Sequence, residues 1–153
     1  MMFNLNAIMS TELVTVQITA SLAEARALMQ ENRFHHLPVV NEKGDFVGLL
    51  TQTDVLTATD SILRDAENRL RAKNIPIEDV MVRNVVTIAE NASLRQAALF
   101  LEKYRIGCLP VVTNGKLVGI ITDTDFVAVA INLLEQLEEH EPEEDDPDPL
   151  FQS

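Results

Sequence analysis

Residues Val47-Gly48-Leu49-Leu50-Thr51-Gln52-Thr53-Asp54 return 71 positions later as Val118-Gly119-Ile120-Ile121-Thr122-Asp123-Thr124-Asp125. Each copy reads as the end of an apolar strand that turns, through Thr-x-Thr-Asp, into a helix. A Thr-x-x-Asp ahead of an apolar run is a helix-capping pattern, and taken alone it implies nothing more. Its recurrence after a glycine, at one place in each half of the chain, marks an internal repeat. Working outward, Met9 to Val40 aligns with Met81 to Val112 at a shift of 72, with 12 of 32 positions identical. Among them are Ser21/Ser93, Leu22/Leu94, Ala25/Ala97 and Arg33/Arg105, and Leu37-Pro38-Val39-Val40 matches Leu109-Pro110-Val111-Val112. The shift changes by one because Asn41-Glu42-Lys43-Gly44 is a residue longer than Thr113-Asn114-Gly115. A turn is where such a change is tolerated.

Both units read the same way. A short leader (Leu5–Met9, Ile77–Met81) runs into a β-rich stretch, Leu13-Val14-Thr15-Val16 or Val85-Val86-Thr87-Ile88. Ser21-Leu22-Ala23-Glu24 and Ser93-Leu94-Arg95-Gln96 are capping boxes, followed by an apolar stripe at helical spacing. Two short apolar strands and a hairpin come next, with Asn114-Gly115 a two-residue turn signal. A second helix begins near Asp54 or Asp125. A β-α-β-β-α unit of this size cannot cover both faces of its sheet, so the two must pack together in an α/β (α+β) fold. The division expected is unit 1 over 5–60, a linker helix over 61–76, unit 2 over 77–134 and an acidic tail over 135–153. In the final helix Phe126, Val129, Ala130, Leu133, Leu134 and Leu137 form a stripe expected to face the core. Val127, Ala128 and Ile131 lie off it, a second apolar face that predicts a homodimer.

The 153 residues carry a net charge of −12, yet nine of the 24 acidic residues lie from Glu135 onward, leaving −3 over residues 1–134. No basic face is available to neutralise phosphates along a nucleic acid, which is therefore not expected as the main partner. No apolar run is long enough to span a membrane, and the first residues lack the features of a signal peptide. The single cysteine, Cys108, has no partner for a disulfide, and no Cys/His spacing suits zinc. A cytoplasmic protein without a metal is the expectation, with Cys108 as a small buried apolar residue.

A helix N-terminus at the end of a strand offers unpaired N–H groups and a field that favours an anion. A carboxylate there can accept from both hydroxyls of a ribose, threonine hydroxyls can donate to phosphate, and Gly48 or Gly119 permits close backbone approach. The repeat resembles the CBS-domain pair, or Bateman module, over residues 5 to 134. The features that carry the resemblance are Met9-Ser10, Val14-Thr15-Val16, Ser21-Leu22-x-Glu24-Ala25, Leu37-Pro38-Val39-Val40 and both Gly-h-h-Thr-x-Thr-Asp segments. It implies two units about a pseudo-twofold axis, with clefts that take adenosine-containing molecules such as AMP, ATP or S-adenosylmethionine. It assigns ribose to Asp54 and Asp125, the ribose or phosphate edge to Thr51, Thr53, Thr122 and Thr124, and the adenine side to Val14, Thr15, Val86 and Thr87. The chain is similar to small stand-alone CBS proteins of the acetoin-utilisation type.

The clefts are expected to differ, because His35-His36 stands where the second unit has Gly107-Cys108. That pair would grip phosphate when protonated, or lie against the other unit without a ligand role. Arg33 and Arg105 would serve both clefts or lie on the helix surface. The usual proline after the first strand is absent from Gln17-Ile18-Thr19 and Ala89-Glu90-Asn91, which alters one edge of the adenine pocket. The function expected is a regulatory adenosine-ligand module that needs no cofactor for chemistry, is not an enzyme, and signals to an unknown regulated protein or within a dimer. The competing reading is a ligand-free dimeric scaffold.

Overall fold

The computed structural model describes residues 4–63 and 75–140. Unit 1 consists of β1 (Val16–Gln17), α1 (Leu22–Asn32), β2 (His36–Val40), β3 (Phe46–Thr51) and α2 (Gln52–Leu63). Unit 2 consists of α3 (Leu94–Tyr104), β4 (Cys108–Thr113), β5 (Lys116–Thr122) and α4 (Asp123–His140). The expected linker lies mostly outside the described residues, and α2 already takes its first positions. In unit 1, β1 pairs in parallel with β2, and β2 antiparallel with β3; in unit 2, β4 and β5 form an antiparallel hairpin. The partner of β1 in unit 2 shrinks to one parallel bridge, Ile88 to Val111, at the place of Val16 to Val39. The β-rich runs expected at Leu13–Val16 and Val85–Ile88 are therefore strand only at their last residue. The rest lies outside the sheets.

Local chemistry fixes the helix ends. Ser21 Oγ accepts from the Glu24 amide at 3.2 Å, and Ser93 Oγ from the Gln96 amide at 3.1 Å. Only at Ser93 is the box completed, by Gln96 Oε1 accepting from the Ser93 amide at 3.4 Å. Both helices end on an arginine in the left-handed region, Arg33 at φ 57° and Arg105 at φ 52°. The amides of Phe34 and Ile106 then close onto the carbonyls of Met29 and Leu101, a Schellman-type ending. An L-residue takes that backbone at a cost of about 1 kcal/mol, and both units accept it at the same place.

The units exchange their leaders. Leu5, Ile8 and Met9 pack into the core of unit 2 with Ile88, Leu109, Val111 and Ile121. Ile77, Val80 and Met81 pack into the core of unit 1 with Val16, Leu37, Val39 and Leu50. Backbone bridges seal each exchange: Ser10 with Ile120, and Val82 with Leu49. These pairs interchange under the repeat shift, so they are the twofold relation written in hydrogen bonds. Gly48 and Gly119 are explained here. A Cβ at Gly119 would stand 2.5 Å from Met9 Sδ, and one at Gly48 would stand 2.8 Å from Met81 Sδ and 2.9 Å from the Val82 carbonyl. The glycines make room for the other unit's leader. The hairpin tips also meet, where Lys116 Nζ pairs with Asp45 Oδ1 at 2.8 Å and donates to the Lys43 carbonyl.

The core-facing stripe expected on α4 does not hold. Phe126 packs against the core of unit 2, but Ala130, Leu133, Leu134 and Leu137 are exposed. With Val127 57%, Ile131 52%, Leu134 56% and Leu137 61% exposed, the helix projects past its own unit with an uncovered apolar face. It also continues to His140, so the acidic stretch begins on the helix.

The exchange predicts unequal costs for one methyl group. Gly48→Ala should destabilise by about 1–3 kcal/mol, since the Val82 carbonyl is held by its bridge and cannot move aside. Gly119→Ala meets only the flexible Met9 side chain and should cost less. In a Met9→Ala background that cost should vanish, with coupling read from urea melts of the double-mutant cycle. Equal costs with no coupling would place the leaders elsewhere.

Candidate functional site

A cleft of about 320 Å³ opens between the units. One wall comes from unit 1: the extended Leu13-Val14, the turn Arg33 to His36, and Pro38 on β2. The other comes from unit 2: Gly107-Cys108, Ile120 on β5, and Thr122 to Asp125 where β5 becomes α4. Ser10 and Glu12, beyond the exchanged leader, stand at its edge. The site is thus composite, since the leader bridge from Ser10 to Ile120 brings unit 1's extended segment onto unit 2's motif.

Six of the expected residues meet in this cleft: Val14, His35, His36, Thr122, Thr124 and Asp125. The remaining six, Thr15, Thr51, Thr53, Asp54, Val86 and Thr87, do not line it. All but Thr15 belong to the repeat-related set. The histidines therefore stand with Asp125 of the opposite unit and not with Asp54 of their own. Asp123, passed over in the sequence as the variable position of the motif, lines the cleft, as do Glu12 and Arg33. The available signal was the repeat itself, which sets Asp123 against Gln52.

The two copies of the motif cap their helices in opposite senses. At α2 the Thr51 hydroxyl accepts from the Asp54 amide at 3.1 Å. At α4 it is the Asp125 carboxylate that accepts, from the Thr122 amide at 2.8 Å. Asp123 Oδ1 takes the Thr124 amide at 2.9 Å, and the Thr122 and Thr124 hydroxyls bond each other at 2.8 Å. The Asp123 amide donates to the Gly107 carbonyl at 3.1 Å, as the Gln52 amide does to the His35 carbonyl at 2.8 Å. A Cβ at Gly107 would stand in ordinary contact with Asp123 Oδ2 at 3.6 Å and His36 Cε1 at 3.8 Å, which places this backbone between the two side chains.

His35 Nδ1 lies 2.6 Å from Gln52 Oε1. An amide oxygen only accepts, so in this pair Nδ1 is the donor. Burial holds the His36 pKa below its ordinary 6.5, the neighbouring His35 pushes it the same way, and Asp123 pulls against both. Burial pushes the Cys108 thiol up to about 12, with Asp123 and Asp125 adding to the rise. That thiol is a wall residue and not a nucleophile.

The family pattern of the CBS domain matches residues 5–61 and 77–132. A CBS domain-containing protein of Dictyostelium discoideum is 31% identical over 132 residues, 84% of this chain and 91% of its own length. A solved Vibrio cholerae structure described as an acetoin utilization protein (AcuB) is similar at 39% identity and TM-score 0.77, covering 93% of this chain and all of that one. The CBS domain pair of protein MJ0100, solved with 5′-methylthioadenosine and S-adenosyl-L-methionine, is 28% identical at TM-score 0.73, covering 86% of this chain and 98% of that one. CBSX2, solved with AMP, is 27% identical at TM-score 0.72, with the same coverage of 86% and 98%. Longer relatives are enzymes by name, such as an L-aspartate semialdehyde sulfurtransferase of Methanocaldococcus jannaschii, of which this chain spans 21% at 33% identity. Among the described residues no helix is long and apolar enough to cross a membrane.

The lowered pKa of His36 has a consequence for stability. Below about pH 6.5 the unfolded chain takes up a proton that the folded ring resists. The contribution of His36 is therefore complete above that value and is lost as pH falls from there through the lower pKa of the folded ring. Urea melts at pH 7.5 and 5.5 should show a smaller loss of stability on acidification for His36→Gln than for the unaltered chain. An identical loss in both would mean that the ring titrates freely.

Proposed function

The chain belongs to the CBS-domain family, and from that premise we propose that it is a regulatory module binding an adenosine-containing small molecule in the cleft between its units. The observation that carries this reading is the meeting of Val14 from one unit with Asp125 from the other across one opening. Val14, with the Thr15 backbone beside it, offers an apolar edge for adenine. The Asp125 carboxylate, half-buried at the start of α4, is an acceptor for ribose hydroxyls, with Thr122 and Thr124 beside it. Thr51, Thr53, Asp54, Val86 and Thr87 form the equivalent set for a second ligand. His35 and His36 close the composite cleft opposite Asp123. The CBS pairs that carry S-adenosylmethionine-type ligands and AMP support the adenosine class.

A route for the signal follows from α4. Its first turn supplies Thr124 and Asp125 to the cleft, and its later turns expose Val127, Ile131, Leu134 and Leu137. A ligand that draws the two walls together acts on the same rigid element that presents the apolar face. We assign that face to a second copy of the chain, through which ligand state reaches a regulated protein. The module itself performs no catalysis in this reading.

Two measurements test the proposal. In a thermal-shift panel of adenosine ligands, at least one should raise the Tm. Asp125→Ala should weaken its binding roughly 10- to 150-fold, the range for a lost charge-assisted hydrogen bond. It should also cost about 1 kcal/mol of stability, because that carboxylate caps α4. Asp54→Ala should cost less, since at α2 the threonine and not the aspartate makes the cap. No response to any adenosine ligand would leave the scaffold reading in possession. Sedimentation at tens of micromolar should show a dimer that Ile131→Glu with Leu134→Glu converts to a monomer; a monomeric unaltered chain would remove the role given to α4.

A further inference from the structure

The cleft's charge is opposite to what a phosphate needs. Its permanently charged side chains are Glu12, Asp123 and Asp125 against Arg33 alone. The N-terminus of α4 would ordinarily favour an anion through its free amides. Here three of those amides are already taken, Thr122 by the Asp125 carboxylate, Thr124 by Asp123 Oδ1 and Asp123 by the Gly107 carbonyl. The threonine hydroxyls bond each other. An arriving phosphate would have to displace the chain's own carboxylates and then lie beside them. Nδ1 of His35 is committed to Gln52, and burial favours the neutral form of His36.

Unit 1 shows that the arrangement is not inherent in the fold. The position equivalent to Asp123 is Gln52, neutral, and the cap there uses a hydroxyl. The acid thus belongs to this cleft alone, on the turn that also carries Asp125. Resting on the adenosine reading above, we infer that this cleft selects adenosine compounds whose 5′ substituent is cationic or uncharged, of the S-adenosylmethionine or methylthioadenosine type, over 5′-phosphates, with Asp123 setting the preference. A carboxylate facing a sulfonium attracts it, and the same carboxylate facing a phosphate repels it. Specificity of this kind works through the repulsive contact as much as the attractive one.

Calorimetric titration of the full chain at pH 7.5 and moderate salt, with S-adenosylmethionine, 5′-methylthioadenosine, AMP and ATP, tests it. S-adenosylmethionine should bind at least about tenfold more tightly than AMP or ATP, a difference of about 1.4 kcal/mol. Asp123→Asn retains an amide oxygen to accept from Thr124 and removes the charge. It should narrow the ratio of S-adenosylmethionine to AMP affinity by about tenfold. Should that variant fold poorly, raising salt on the unaltered chain gives a second reading. Screening should weaken S-adenosylmethionine and strengthen AMP. AMP or ATP binding as tightly as S-adenosylmethionine, or a ratio insensitive to both charge removal and salt, overturns this inference and leaves the adenosine reading standing. Binding of none of the four overturns both.

Discussion

Everything in this molecule depends on two methionines seated against two glycines. Met9 fills the space over Gly119 and Met81 the space over Gly48, so each unit's sheet is completed by the leader of the other. Leu5 and Ile77 are fully buried in these borrowed cores. Burying each is worth about 1.5–3 kcal/mol, none of which is available to a unit standing alone. The contact explains why the repeat comes as a pair. It also explains why the cleft lies between the units, because a leader anchored by Ser10 on Ile120 must carry Leu13 and Val14 across to the other unit's motif.

A repeated backbone with diverged side chains has a further effect. The bulge between Val39 and Val40 recurs between Val111 and Val112, and the left-handed arginines recur at Arg33 and Arg105. The frame is therefore symmetric to fine detail. Its chemistry is not. His35 faces the place of Gly107, His36 that of Cys108, and Gln52 that of Asp123. These three differences bring two histidines, a glycine and the acid Asp123 into one cleft, while the packing that holds both units keeps its symmetry.

The parts legible in the sequence are those governed by neighbours along the chain. Serine caps, the Asn114-Gly115 turn and the Thr-x-Thr-Asp strand-to-helix junction each depend on a few consecutive residues, and the structure has all of them. The repeat supplied the number of units, and the resemblance named Asp125 and Val14 among its candidates without saying which aspartate would stand with which strand. What escaped is what a local pattern cannot encode. Leu5 and Met9 are equally apolar whichever core receives them. Gly48 and Gly119 looked like room for a ligand when they are room for a side chain. The pairing of His35 and His36 with Asp125 needed the leader exchange to be known first. On α4 the helical period of Phe126, Val129, Leu133 and Leu137 measures amphipathicity, and it is the same for a face covered by the chain's own core as for one awaiting another surface.

That last ambiguity bears on how the proposed ligand could act at a distance from its cleft. A ligand shifts an equilibrium only by the difference in its affinity for two arrangements. A cleft inside one rigid unit would have no second arrangement to choose. Here the walls belong to separate cores, joined by exchanged leaders and by the Lys116–Asp45 contact at the hairpin tips. Occupancy can then favour one spacing of the units over another. The helix that feels this spacing first is α4, since its opening turn is part of the wall. Its apolar residues Ile131 and Leu137 lie beyond the core it grows from, on the same continuous helix as Asp125. In the proposed reading, the exposure that makes α4 costly to leave uncovered is what lets it serve as the lever.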